Sequence, residues 1–244
     1  MIVNAIKTRI FKEKESISEF ILEYIKRNIG RLKEGDVFVV TSKIVALSEG
    51  RTVDYISREH KIEIVQKESQ KSVVTPWCIL ACKDGEWCAS AGVDESNAQD
   101  RLILLPKNSF AAARKIRAVL QKRFKIKKLG VILTDSRSLP LKSGVIGVAV
   151  GYAGIEPRRS YIGKTDIFGR ELKFTRSNVI DSLAASAVLM MGEASEQRPL
   201  ALIRDAGVEF TNKKYKMSDM IIAPQDDMYS YAYKAHQKRY NKNK

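Results

Sequence analysis

Apolar positions along the chain follow two rhythms. Residues 17–29 (ISEFILEYIKRNI) set Ile17, Phe20, Ile21, Tyr24 and Ile25 three and four apart, the spacing that lines one face of an α-helix. Ser16 is placed to cap its first turn and Gly30 to stop it. Residues 35–47 (GDVFVVTSKIVAL) open with a turn and predict a strongly apolar strand. Residues 60–88 mix short β-like pieces, SVVT and WCILACKDGEWCAS, and the KDGE inside the second is a hairpin signal. The clearest helix covers residues 107–124, and LGVILTD (129–135) reads as a buried strand. GVIGVAVGYAG (144–154) and GRELKFT (169–175) are both β-like. Glycines at 144, 147, 151 and 154 mark close backbone approach or bulges. A helix rich in small residues follows over 177–193, capped by Ser177 or Asn178, and residues 199–210 give a last strand. Strands outnumber helices and do not alternate with them regularly. That predicts an α+β fold with a largely antiparallel sheet rather than a doubly wound one.

The chain has 244 residues, 44% of them hydrophobic, enough for a sizeable core in one large domain or two modest ones and too many for global disorder. No apolar run approaches the roughly 20 residues that span a bilayer. The N-terminus lacks the apolar core of a signal peptide. The expectation is a cytoplasmic protein without a membrane partner. Cys78, Cys82 and Cys88 form an odd set, which argues for reduced thiols on a core or strand face. Their C-x3-C-x5-C spacing matches no common zinc finger, and neither His60 nor His236 is near. The net charge of +15 raises the local concentration of anions of any kind. It concentrates in residues 113–128 and 234–244. The first run has Ile116, Val119, Leu120 and Phe124 near helical spacing, so its lysines form a solvated face; the second reads as a frayed basic tail. Neither run interleaves aromatic side chains with bases, which argues against nucleic acid as a partner. A non-catalytic, basic nucleic-acid-binding protein stays as the competing reading.

Four polar clusters interrupt the apolar layout. In VVTSKIVALSEGR (39–51), Ser42 and Lys43 lie in or just after a strand, and a lysine amid apolar residues must reach solvent or an anion. In SAGVDESNAQDR (90–101), Asp94, Glu95, Asn97, Asp100 and Arg101 crowd a short segment, where an Asx cap is the plain alternative. In LTDSRSLPLKSG (133–144), Asp135 and Ser136 sit where the strand is expected to stop, and a turn role competes with a ligand role. In MMGEASEQ (190–197), Glu193 ends a helix at the end where the macrodipole opposes a carboxylate, which becomes sensible beside a cation. Oxygen ligands of this kind suit Mg²⁺ or Mn²⁺, above all when nucleotide phosphates complete the coordination.

SKIVALSEGR, SAGVDESN, LTDS, GVIGVAVGYAGI, YIGKTDIFGREL and LMMGE occur in the order found in the coenzyme F420-0: L-glutamate γ-ligase family, which the chain resembles from about Asn4 to about Phe210. The resemblance implies an amide-forming ligase that joins L-glutamate to an acceptor carboxylate and consumes GTP or ATP. It also implies an intertwined homodimer and two divalent cations, Mg²⁺ or Mn²⁺. Carried onto this chain, Asp94 and Asp135 hold one cation, and Ser136 with Glu193 the other. Thr8, Arg9, Ile10, Phe11, Ser42, Lys43 and Asn97 contact the nucleotide, as does the segment 191–197 with Met191, Gly192 and Gln197. Asp94, Asp135 and Lys43 carry the catalysis. The ligase domain covers residues 1–212, in one or two subdomains, and residues 213–244 form a basic extension. Leu47 stands where F420 ligases commonly carry a second lysine, SRSLPLKSG replaces their glycine-arginine pattern, and the stretch between Arg51 and Lys71 is short. These departures resemble bacterial relatives assigned to folate metabolism, so a folate is the preferred acceptor, with F420-0 as the alternative. Arg137 and Lys142 are the residues expected to choose between them.

Overall fold

Residues 36–41 (DVFVVT) are buried on both faces of their strand, which demands a place in the middle of a sheet covered on both sides. The computed structural model, which describes residues 1–231, puts them there. In chain order, β1 (Ile2–Ile6), α1 (Ile17–Asn28), β2 (Asp36–Thr41) and α2 (Ser42–Ser48) open the structure. Then come β3 (Thr52–Asp54), α3 (Arg58–Lys67), β4 (Lys71–Val74), β5 (Ile79–Lys83), β6 (Glu86–Ala89) and β7 (Arg101–Ile103). The chain continues through α4 (Ser109–Phe124), β8 (Leu129–Ser138), β9 (Val145–Ala153), β10 (Arg158–Ser160), β11 (Arg176–Asn178), α5 (Val179–Met191) and β12 (Leu200–Arg204).

The central sheet runs β1-β12-β2-β8-β9, and only the β2–β8 pair is parallel. Phe38 and Val40 point to one face, where α1 and α4 bring Phe20, Ile21, Ile25, Ile116 and Leu120. Val37 and Val39 point to the other, where α5 brings Ile180, Leu183 and Ala187. Each fully buried Val, Leu, Ile or Phe side chain among them contributes roughly 1.5–3 kcal/mol. A smaller body pairs β3 with β7 and stacks β4, β5 and β6 under α3, with Val65, Ile79, Ala81 and Leu102 at its centre. The architecture is α+β with mostly antiparallel pairing, as the strand count predicts.

Helix caps fall where the side chains allow. Ser16, Asn108 and Asn178 accept from the backbone N–H groups of Glu19, Ala111 and Asp181. The β9 glycines serve close approach. A Cβ on Gly151 would lie 2.5 Å from the Ser109 carbonyl carbon, and one on Gly147 would lie 2.5 Å from Val188. Opposite Leu133 and Thr134 the register slips, so that Val150 is left out of the ladder as a bulge.

Four local expectations are corrected. The run 35–47 is a strand only to Thr41 and then a helix, because Ile44 and Val45 extend the apolar stretch and hide the change of period. Residues 58–67 are helical, capped by Ser57, although only Val65 is fully buried and the helical face is faint. Residues 169–175 make a single bridge, Thr165 to Glu171, around a turn in which Asp166 accepts from Phe168 and Arg170. The strand β8 does not stop at Asp135 but runs to Ser138, paired with residues 145–148 of β9. No described helix is long and apolar enough to cross a membrane. The basic run 234–244, read as a frayed tail, and His236 lie outside the described residues.

Candidate active site

At the end of β2 the chain turns directly into α2. Ser42 is buried there, and the Lys43 side chain leans toward the loop that precedes β7. The Lys43 ammonium donates to the Ser96 hydroxyl and the Ser96 carbonyl, both at 2.9 Å, and stands 2.8 Å from a carboxylate oxygen of Asp94. Asp94 also accepts from the Ser96 N–H at 2.7 Å and the Ser96 hydroxyl at 3.0 Å. Burial would raise the Asp94 carboxyl, but the Lys43 ammonium and the Ser96 donors more than offset it and hold it below the usual range. The loop reaches this position under strain. Ser90, Ala91 and Gly92 are consecutively left-handed, with Ser90 and Ala91 buried, a backbone state costly for residues with a Cβ. A Cβ at Gly92 would strike Leu105 at 2.6 Å.

Asp135 comes from β8 and is the second carboxylate of the cluster. Its side chain is 25% exposed, and the Arg137 Nε stands 3.8 Å away, beyond hydrogen-bond reach. Burial pushes the Asp135 carboxyl up, and the nearby negative Asp94 adds to this, against the pull of Arg137 and of the Ser136 N–H. Arg137 is tied to Glu86 of β6 by a charge-assisted hydrogen bond.

Ser136 donates to Glu193 instead, 2.8 and 2.9 Å from its two oxygens. Successive side chains alternate across a strand, so Ser136 leaves β8 on the face opposite Asp135 and Arg137. The expected second ligand pair therefore meets, on the side where α5 ends. Two hydrogen bonds bring the segments together: the Asn97 side-chain Nδ2 donates to the Ala194 carbonyl at 3.2 Å, and the Thr8 N–H donates to the Gln197 carbonyl at 2.8 Å.

Other expected nucleotide contacts are placed less openly. Phe11 and Met191 are core side chains, Phe11 packed edge-on to Phe20 at 4.9 Å, so only their backbones are available to a ligand. Arg9 is paired with Glu15, and Ile10 faces solvent. Gly192 has φ 85, and its open face holds the Glu196 carboxylate, which accepts from Ala194 N–H. Of the two residues expected to choose the acceptor, Lys142 lies in the exposed turn after β8, where its N–H donates to the Leu139 carbonyl at 3.2 Å, and the Arg137 side chain is largely buried. Ser96, Glu86 and Glu196 escaped the sequence reading. Ser96 stands two residues from the marked Asp94, whereas nothing in the spacing signals that β6 delivers Glu86 to Arg137.

The donors suit a hard divalent cation. Asp94 and Asp135 offer oxygens only, and the Asp135 carboxyl lacks enough positive charge nearby to offset its burial. Among the described residues, no three His, Cys, Asp or Glu side chains gather as a metal cage. Magnesium is commonly held by one or two carboxylates with substrate phosphates and water completing the shell, so two carboxylates beside a lysine fit that pattern.

Residues 5–205 match the family model described as F420-0:Gamma-glutamyl ligase. The chain belongs to the F420-0:gamma-glutamyl ligase family. It is 34% identical over 240 residues to the coenzyme F420:L-glutamate ligase of Methanocaldococcus jannaschii, covering 90% of this chain and 93% of that protein. It is 33% identical over 216 residues to the enzyme of the same name from Methanosarcina mazei, covering 81% and 83%. With the one from Archaeoglobus fulgidus, identity is 30% over 217 residues, covering 82% and 85%. As a member of this family the chain is a ligase that forms amide bonds, and every polar cluster described above lies within the matched span.

Proposed function

We propose that this ligase adds L-glutamate to the carboxylate of F420-0, at the expense of GTP and with a divalent cation bound at Asp94 and Asp135. The observation that carries this reading is the convergence of Lys43, Asp94, Ser96 and Asp135, from three separate chain segments, in a family whose model and similar proteins are named for F420 and glutamate. Those names favour F420-0 over the folate that Leu47 and residues 137–144 suggested. Arg137, moreover, is tied down in a strand rather than displayed on a loop.

A carboxylate and an amine do not condense at neutral pH, so the acceptor must first be activated. The acceptor oxygen attacks the γ-phosphorus, the bond to the nucleoside diphosphate breaks, and an acyl phosphate forms. The glutamate amine then attacks the acyl carbon, the amide forms, and inorganic phosphate leaves with the bonding electrons while the amine gives up a proton. A cation bound at Asp94 and Asp135 would supply charge neutralisation on the phosphate oxygens. Lys43 adds a positive charge that can pass from Asp94 to a phosphate, since the two compete for the same ammonium. Ser136 and Glu193 offer a hydroxyl and a carboxylate for a second cation.

The protein works as a homodimer in this reading. Between β10 and β11, Ile167, Phe168 and Phe174 are almost wholly exposed, with Phe168 at 88%, a costly display of apolar surface that a second, intertwined copy would cover. Incubation with L-glutamate, Mg²⁺ or Mn²⁺, GTP or ATP, and either F420-0 or a reduced folate tests the reading. Phosphate release dependent on F420-0 and glutamate is expected; release with folate alone would move the acceptor, and tight RNA binding without phosphate release would restore the nucleic-acid alternative.

A further inference from the structure

Beside the candidate site lies a concave feature that the ligase reading has not used. A cavity of about 220 Å³ opens between the β5–β6 turn, the first turn of α4 and residues 215–217. Five cationic side chains and one carboxylate, Asp84, line it. Lys83 is neutralised by Glu68 at 2.6 Å, and Arg114 donates to the Tyr215 carbonyl at 3.4 Å. Lys107 and Lys216 have no ion pair among the described residues, so the cavity keeps spare positive charge.

The fifth cation is Arg137. Its side chain is only 10% exposed, and its Nε is buried with no hydrogen-bond partner, an expensive condition for a guanidinium. It lines the cavity while standing 3.8 Å from Asp135, and so forms the wall shared by the cavity and the carboxylate cluster. Around it are Phe110, Val150 and Met217, which offer apolar surface to methylenes.

Size and charge together select the occupant. Sites for drug-sized molecules run to about 300–1,000 Å³, so this one is too small for a nucleoside triphosphate or a polycyclic acceptor and suits a free amino acid. Several unpaired cations and one exposed carboxylate match a ligand with two carboxylates and one ammonium. We infer that this cavity is the L-glutamate subsite, in which Lys107, Arg114 and Lys216 take the carboxylates, Asp84 takes the ammonium, and Arg137 orients the amino acid toward the reacting centre. The identity of the amino acid rests on the ligase reading; the cavity and its charge do not.

The test uses the full chain with the Lys107→Ala/Lys216→Ala double variant and Asp84→Asn, all at exposed positions. Calorimetry follows L-glutamate, glutarate, L-glutamine and inorganic phosphate, each with and without Mg²⁺ and a non-hydrolysable GTP analogue, and steady-state kinetics run alongside. Glutamate is expected to bind at least about fivefold more tightly than glutarate, which lacks the amine, or glutamine, which lacks the second charge. Both variants should weaken glutamate by at least about fivefold and raise its KM likewise, with KM for nucleotide and acceptor within twofold of wild type. A raised KM for the acceptor with an unchanged KM for glutamate overturns the assignment, as does phosphate binding as tightly as glutamate. Should turnover fail with every substrate pairing, the ligase reading falls on its own. Glutamate binding that the variants abolish would then still support the subsite, and undetectable glutamate binding would overturn it.

Discussion

Replacing Asp135 by Asn separates a ligand carboxylate from a strand residue that merely fills its place. The change keeps the shape of the side chain and removes its charge. In the folded protein the Arg137 Nε is 3.8 Å away, and at an effective dielectric near 20 a pair at about 4 Å attracts by roughly 4 kcal/mol. Desolvation still wins, since burial pushes the carboxyl above its usual range despite that attraction. A raised folded-state pKa means that the ionised form is disfavoured by folding, so at neutral pH the wild type carries a cost that Asn does not. The variant should therefore be as stable as the wild type or more stable by up to about 2 kcal/mol. For a chain of this size that is a Tm change between zero and a rise of about 8 °C. Activity should move the other way, with kcat falling about 100-fold or more, since even residues that only support metal ligands are worth 10–100-fold. Differential scanning calorimetry and a phosphate-release assay read the two effects on the same preparation. A Tm lower by more than about 4 °C with activity retained would refute the reasoning and return Asp135 to a structural role.

Two further outcomes concern the scaffold. Glu68 receives Lys83 at 2.6 Å and Arg51 at 2.8 Å; burial raises its carboxyl, but those two cations outweigh it and leave it below the ordinary range. A lowered folded-state pKa gives stability that is present above the unfolded carboxylate range and lost as pH falls through the folded value. Glu68→Gln should thus cost about 1–3 kcal/mol at pH 7, with the gap in Tm from wild type closing as the pH falls below about 4; a gap independent of pH would contradict the ion-pair account. Gly151→Ala should lower Tm by about 4–10 °C, because the new methyl meets the Ser109 backbone at 2.5–2.7 Å and must drive α4 off β9, and an unchanged Tm would show that the two can part freely.

Apolar spacing and small-residue content made α1, α4 and α5 legible from the sequence; Ser16 marked the start of α1, and of Ser177 and Asn178 it is Asn178 that caps α5. Legibility failed where two elements shared one apolar run, as at β2 and α2, or where burial was slight, as at α3. Lys43 gained from that hidden junction: a strand ending directly in a helix aims it across to Asp94, a geometry that no local spacing encodes. The four polar clusters were visible as residue types, but their meeting depends on pairing between distant segments, such as Asn97 with Ala194 and Thr8 with Gln197.

Arg137 shows the same limit in a sharper form. From the sequence it belonged to a basic loop after a strand that ended at Asp135, and it drew notice because the chain leaves the F420-ligase pattern there. In the structure the strand continues, alternation puts Arg137 beside Asp135, and the β5–β6 hairpin supplies Glu86 to hold it. A buried guanidinium with one hydrogen bond satisfied and Nε open is poorly explained by stability alone, because an apolar residue in the same place would avoid the desolvation cost. Its position on the wall between a small cationic cavity and two carboxylates gives that cost a chemical use. The departure from the family pattern at residues 137–144 thus begins with a residue that lines the cavity proposed for the amino-acid substrate, and Lys107→Ala/Lys216→Ala kinetics with both substrates separate a role toward glutamate from one toward the acceptor.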